Sequence, residues 1–186
     1  MRFIFLLLTL IAFPVLLSAH GTGDNAFVHG FTHPIFGIDH MLAILGVSIL
    51  GHYFMHEKAW LPSILFIIAM VIGSLFGVKG DVLPYMEEVI KFSIVICGIL
   101  IWGRLELTLV GFALIGIFAG YFHGYAHGYE MPSESNTALY TGGFVLGATI
   151  VSFLGYGIAK FFTDGLGIRT IGAFLAGLGT AIFFGL

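Results

Sequence analysis

Residues 106–130 read ELTLVGFALIGIFAGYFHGYAHGYE, the most informative stretch of this 186-residue chain. Its apolar run is close to the ~20 residues that an α-helix needs to cross ~30 Å of hydrocarbon, so we place a membrane span at 106–128. Glycine recurs there at every fourth position and leaves a bare stripe along one helix face: Gly116, Gly120, Gly124 and Gly128. Such a stripe is typical of membrane helices that pack closely against a neighbour.

The composition of the whole chain indicates the same environment. Hydrophobic residues make up 59% of it, charged residues 9%, and there are 27 glycines, whereas a soluble domain is about 25% charged and about 7% glycine. The seven Lys and Arg form no basic run, which excludes a nucleic-acid-binding protein. Cys97 is the single cysteine, which excludes a disulfide scaffold. The chain is therefore predicted to be an all-α, polytopic membrane protein in a lipid bilayer.

Five further apolar stretches have a similar length, and together they predict a six-helix transmembrane bundle that forms a single domain over 20–186. We place the six spans at 34–52, 60–78, 85–102, 106–128, 138–161 and 167–185. Residues 1–19 carry Arg2, an apolar run and then small residues, which is the order of an N-terminal signal segment. Cleavage after Ala19, cleavage before Thr22 and an uncleaved first helix remain open alternatives.

The distribution of positive charge predicts the orientation of the bundle. If the residues that follow the signal segment lie outside, the turns that carry Lys58, Arg104 and the Lys160/Arg169 pair lie inside. This is the bias that membrane insertion requires. An even number of spans then also places the C-terminus outside, so both mature termini are expected to be periplasmic.

The first of two clusters of ionisable residues is His33-Pro34-Ile35-Phe36-Gly37-Ile38-Asp39-His40. Ionisable groups inside a bilayer cost about 2.5–3.5 kcal/mol or more unless they are paired, so these residues are functional candidates. Pro34 is expected in the first helical turn. On a continuous helix His33 and His40 face the same way, and Asp39 points about 100° away. Asp39 is then either a ligand or the partner that orients an imidazole.

The second cluster combines His123, His127 and Glu130 at i, i+4 and i+7, within roughly 60° of one helix face if the helix persists to Glu130. The predicted topology puts both clusters at the outer end of the bundle. Imidazole and carboxylate ligands suit Ni²⁺, Co²⁺, Zn²⁺ or Fe²⁺. The alternatives are interhelical hydrogen bonds for this cluster and a capped helix start for the first. The candidate ligands for a divalent metal ion are His33, Asp39, His40, His123, His127 and Glu130.

The motifs His33-x5-Asp39-His40 and Phe122-His123-Gly124-x-Ala126-His127-Gly128-x-Glu130 resemble those of the HupE/UreJ family of nickel and cobalt permeases. The resemblance extends over nearly the whole chain. It implies secondary transport of Ni²⁺ or Co²⁺ across the bacterial inner membrane, with an indirect link to hydrogenase, urease or cobalamin biosynthesis. It also implies that these six residues matter for transport, that the protein is not an enzyme, and that it holds no prosthetic group.

Other classes of protein remain as alternatives. A metal-binding accessory protein or sensor binds the ion without transporting it. A His-box di-iron membrane oxygenase usually needs an H-x-x-H-H box, which the sequence lacks, and a bis-histidine haem protein needs its two histidines near mid-membrane. Gly143 and Gly147 can pack within one chain or within a homo-oligomer. The roles of the remaining histidines stay open: a part in metal exit or an ordinary interfacial face for His52 and His56, chelation at the mature N-terminus for His20, and a place on the approach to the first span for His29.

Overall fold

The computed structural model describes residues 25–132, 135–162 and 165–186, and within these ranges the chain is helical and contains no strand. A 3₁₀ turn at His56–Lys58 separates the second helix from the third. The α-helices are α1 (Ala26–Phe36), α2 (Ile38–Met55), α3 (Leu61–Gly77), α4 (Met86–Gly103), α5 (Leu109–Tyr129), α6 (Thr137–Phe161) and α7 (Gly165–Phe184). The predicted signal segment, residues 1–19, and His20 lie outside the described residues, as does the side chain of His56.

Four of these helices, α2, α5, α6 and α7, are long and apolar enough to cross a membrane, and α3 is a shorter apolar helix. The first two turns of α4 carry Glu87, Glu88 and Lys91, which makes that helix more polar. Over the residues that the structure describes, the protein is thus an all-helical membrane protein. The count of six spans stays a prediction.

The prediction for the first span, 34–52, is wrong at its N-terminal end. The helix begins at Ala26, and Pro34 lies in the last turn of α1 rather than in a first turn. The chain then leaves helical geometry at Gly37 (φ −65°, ψ 104°), and α2 starts at Ile38. Packing explains the difference, because Gly30 lies against the backbone of α6 and the Pro34 ring lies against Gly147. These contacts support a helix that a proline in its interior disfavours.

Helix α2 lies at the centre of the bundle and contacts each of the other six helices. Its buried residues point in every direction and include Ile44, Val47, Ile49 and Leu50. Three closely packed pairs surround it: α1 with α6, α3 with α5, and α4 with α7. The remaining predicted spans agree with α3 to α7 to within a few residues.

The glycine stripe of α5 faces α3, as the spacing predicts. A Cβ atom on each of these glycines would meet a backbone carbonyl oxygen of α3. The contacts advance together along both helices, so α3 and α5 run parallel: Gly116 meets Pro62, Gly120 meets Phe66, Gly124 meets Met70 and Gly128 meets Ser74. The two backbones approach as closely as glycine allows.

The same kind of contact joins α1 to α6. Gly143 and Gly147 lie against the carbonyl oxygens of Phe27 and Phe31, and α1 runs parallel to the first turns of α6. These two glycines therefore pack within one chain. A homo-oligomer stays a prediction that rests on other surfaces.

We predict that Gly124→Ala lowers the free energy of unfolding by about 1–3 kcal/mol, because the new methyl group meets a backbone carbonyl that no side-chain rotation can move. Thermal unfolding in detergent measures the change. Gly157→Ala is the matched control, since a Cβ there has no neighbour within 4 Å. Equal melting temperatures for the two variants would contradict the prediction.

Candidate metal centre

The structure brings the six candidate residues together where α1 meets α2 and where α5 ends. His33 lies in the last turn of α1, and Asp39 and His40 lie in the first turn of α2. His123 and His127 lie in the last two turns of α5. The list is completed by Glu130, which follows α5 in helical geometry, with φ −83° and ψ −2°. The condition that the helical face persists to Glu130 is therefore met.

The break at Gly37 shapes the first half of the centre. Seven residues rise about 10 Å along a continuous helix, but the ring centroids of His33 and His40 are only 5.0 Å apart. A Cβ on Gly37 would lie 3.0 Å from the His33 carbonyl oxygen and 3.3 Å from His40 Nδ1. The bend that brings the two imidazoles together thus leaves little room for a side chain.

The four imidazoles form one cluster around His40. Ring centroids are 4.6 Å apart for His33 and His127, 4.8 Å for His40 and His127, and 5.0 Å for His40 and His123. One nitrogen each from His33, His40 and His127 lies within 4.8 Å of the others. Metal–nitrogen bonds of about 2.0–2.1 Å put ligand nitrogens roughly 3–4 Å apart, so the spacing of these three rings is compatible with a shared metal ion after small ring rotations.

Hydrogen bonds fix which ring nitrogens are available. His40 Nδ1 donates to Asp39 Oδ1 at 2.9 Å, and His123 Nδ1 donates to the Ala119 carbonyl oxygen at 2.7 Å. In the neutral form of each ring, Nε2 is then the nitrogen with a free lone pair, which is the atom that can bind a metal. Within the described part of the chain, both Nε2 atoms are buried without a hydrogen-bond partner, and so are both ring nitrogens of His127. Buried polar atoms are rarely left unpaired, so these nitrogens indicate a ligand.

The cluster has a partly exposed end and a buried end. The side chains of His33, Asp39 and Glu130 are 29%, 28% and 40% exposed, whereas His40, His123 and His127 are buried. Glu130 Oε2 lies 3.3 Å from His33 Nε2. Burial, together with the nearby His40, lowers the pKa of His33 to about 4, and burial raises the pKa of Glu130. His33 is then a neutral imidazole at neutral pH, as metal binding requires.

Aromatic side chains from other helices hold the buried end. The His127 ring stacks on Phe144 of α6 at 5.0 Å, and the His123 ring lies 5.1 Å from that of Phe66 on α3. Sequence reasoning missed both residues, because an isolated phenylalanine in an apolar span carries no distinguishing signal. Phe144 lies seven residues after Thr137, the first residue of α6, which places this end of the cluster about 10 Å along that helix from its start.

Two histidines lie away from this cluster. His29 is exposed on α1, and His52 lies near the other end of α2, where its ring contacts that of Tyr156 at 4.5 Å.

The all-helical bundle and its cluster of imidazoles and carboxylates define an integral membrane protein with a metal-compatible polar centre. Residues 7–182 match the family described as HupE / UreJ protein. The chain is also 31% identical over 183 residues to Protein HupE of Rhizobium leguminosarum bv. viciae, which covers 96% of this chain and 95% of that protein. No solved structure matches the chain significantly. The chain belongs to the HupE/UreJ family, which is associated with nickel and cobalt uptake for hydrogenase and urease.

We predict that Asp39→Asn weakens Ni²⁺ binding by about 10–100-fold, the usual effect of losing the carboxylate that orients a metal-binding histidine. Equilibrium dialysis of the purified protein against Ni²⁺ measures the affinity. Asp81→Asn is the control, because that side chain is exposed in the loop between α3 and α4. Unchanged affinity in Asp39→Asn would show that Asp39 neither orients His40 for the metal nor binds the metal itself.

Proposed function

We propose that this protein is a secondary permease that carries Ni²⁺, or Co²⁺, across the bacterial inner membrane. The proposal includes six membrane spans in a single domain over 20–186, a signal segment at 1–19, and periplasmic N- and C-termini. The imported metal serves hydrogenase, urease or cobalamin biosynthesis. Its binding site is formed by His33, Asp39, His40, His123, His127 and Glu130.

The observation that carries this proposal is the set of buried imidazole nitrogens that have no partner among the described residues. Four such atoms, on His40, His123 and His127, lie in a cluster whose other members include two carboxylates. A divalent transition metal satisfies both needs, because its bonds pair the nitrogens and its charge offsets Asp39 and Glu130. Family membership supports nickel and cobalt as the ions concerned.

The difference in exposure suggests how the ion enters. A hydrated ion first meets the partly exposed His33, Asp39 and Glu130, and these exchange for some of its water molecules. It then reaches the buried imidazoles. Loss of water in steps avoids the full desolvation penalty of moving a bare dication into a low-dielectric interior.

The driving force in this proposal is either a proton gradient or the membrane potential. The chain contains no phosphate-binding loop of the G-x-x-x-x-G-K-[ST] type, so the proposal assigns it no ATP hydrolysis of its own. A membrane potential of 100 mV contributes about 2.3 kcal/mol per elementary charge, hence twice that for a dication moving inward.

Removal of one ligand from each half of the site tests the proposal. Cells that express His40→Ala or Glu130→Gln are expected to take up radioactive nickel at least about tenfold more slowly than cells with the unchanged protein, since a loss of about 1.4 kcal/mol in binding is a factor of ten. Glu106→Gln, an exposed carboxylate at the opposite end of the bundle, is the control.

Normal uptake by both His40→Ala and Glu130→Gln would overturn the proposal. An accessory protein or sensor would instead bind Ni²⁺ in dialysis but give no flux when reconstituted in lipid vesicles with an imposed potential. Competition between Ni²⁺ and Co²⁺ in the same vesicles assigns the cargo, because the general affinity order of nitrogen ligands does not decide between the two ions in vivo.

We also predict that Ni²⁺ raises the thermal stability of the purified protein, which can be measured without a transport assay. A ligand present at about 100 times its Kd raises the free energy of unfolding by about 2.7 kcal/mol. The melting temperature in detergent is therefore expected to rise with Ni²⁺ and to stay constant with Mg²⁺, which prefers oxygen ligands. An equal response to both ions would argue against imidazole ligation.

A further inference from the structure

A second set of polar side chains lies in the half of the bundle beyond the metal centre. Ser48 of α2 is 2% exposed, and its hydroxyl donates to the Ile44 carbonyl oxygen at 2.8 Å. Its Oγ also lies 2.9 Å from Ser63 Oγ, across the contact between α2 and α3. Since the Ser48 hydrogen is already used, the Ser63 hydroxyl donates in this pair. The bond joins two helices in the interior of a membrane protein.

These hydroxyls continue along the helix that begins at the metal centre. Ser48 follows His40 by eight residues, a rise of about 12 Å, and His52 lies about 6 Å further along. The His52 ring is in edge contact with that of Tyr156 on α6, at 4.5 Å. A single helix thus carries an imidazole at the centre, a hydroxyl in its middle and a second imidazole near its far end.

Helix α6 closes the third side of this region. A Cβ on Gly155 would lie 2.8 Å from the Ser48 Cβ, so the two helices are in close contact there. One turn before Tyr156, the hydroxyl oxygen of Ser152 is buried and has no hydrogen-bond partner in the part of the chain that the structure describes. Polar groups are therefore gathered where α2, α3 and α6 approach one another.

An apolar layer separates the metal centre from this region. Ile44 precedes Ser48 by about one turn of α2, and Phe66 follows Ser63 by about one turn of α3. Both side chains are 1% exposed. The Phe66 ring also touches that of His123. Along α2 and α3 the structure thus places the imidazole cluster first, then the buried Ile44 and Phe66, and then the polar contact between Ser48 and Ser63.

We propose that the metal ion leaves the centre between α2, α3 and α6, passes the Ser48–Ser63 hydroxyl pair, and binds transiently to His52 before release. The hydroxyls replace water molecules of a partly dehydrated Ni²⁺ or Co²⁺, and the His52 imidazole supplies a nitrogen ligand of the type these ions prefer. This inference rests on the proposed function, since it describes the exit from the proposed site.

The test separates binding from flux in reconstituted vesicles. The double variant Ser48→Ala/Ser63→Ala, which loses two hydroxyls, and the variant His52→Ala are each expected to slow Ni²⁺ flux at least about tenfold, the factor for losing one group that contacts a cation in the slow step. Equilibrium dialysis of the same proteins is expected to give unchanged affinity at the metal centre. Ser63→Thr keeps the hydroxyl and is expected to retain the flux of the unchanged protein, whereas Ser63→Ala is expected to lower it.

The control is Ser93→Ala. Ser93 is a buried serine of α4 whose hydroxyl donates to the Ile90 carbonyl oxygen of its own helix, and its loss is expected to leave flux unchanged. Unchanged flux in both the double serine variant and His52→Ala would overturn the proposed passage. Loss of metal binding in these variants would also overturn it, because the residues would then have a structural role. Absence of flux in the unchanged protein would instead overturn the proposed function.

Discussion

Close backbone contact between helices is the constraint on which this bundle depends. Inside a bilayer, apolar side chains gain little by leaving lipid for protein, so helices associate through packing and interhelical hydrogen bonds. Each of the three outer pairs meets through glycines that bring backbone against backbone, and the longest run joins α5 to α3. Many of the glycines in the described helices form contacts of this kind.

The orientation of the metal centre follows from the same contact. Gly124 and His123 are consecutive, so their directions from the helix axis differ by about 100°. When Gly124 lies against Met70 of α3, the two histidines of α5 turn toward α2 and α6, where His40 and Phe144 lie. A side chain on the stripe would displace α5 and with it half of the candidate ligands. The packing of α5 against α3 therefore also determines the geometry of the centre.

The sequence predicts the spans from α3 to α7 and the meeting of the two clusters, because hydrophobic length, helix periodicity and charge bias are local properties. It does not predict α1. Pro34 suggests a helix start, but its ring packs on Gly147, more than 100 residues further along the chain. A contact between residues so far apart cannot be predicted from the local sequence pattern. The same applies to Phe144 and to the Ala119 carbonyl, which hold His127 and His123. That the six residues bind metal stays a prediction.

The uneven exposure of the centre bears on whether it stores an ion or passes it on. A fully enclosed cage of four imidazoles and two carboxylates would bind a dication tightly and release it slowly, whereas transport needs an ion that enters readily and leaves readily. Here three of the six residues are partly exposed, and the other three are buried beside a thin apolar layer. The open side makes desolvation gradual. In the proposed mechanism, the unpaired nitrogens draw the ion inward. This asymmetry favours passage over storage.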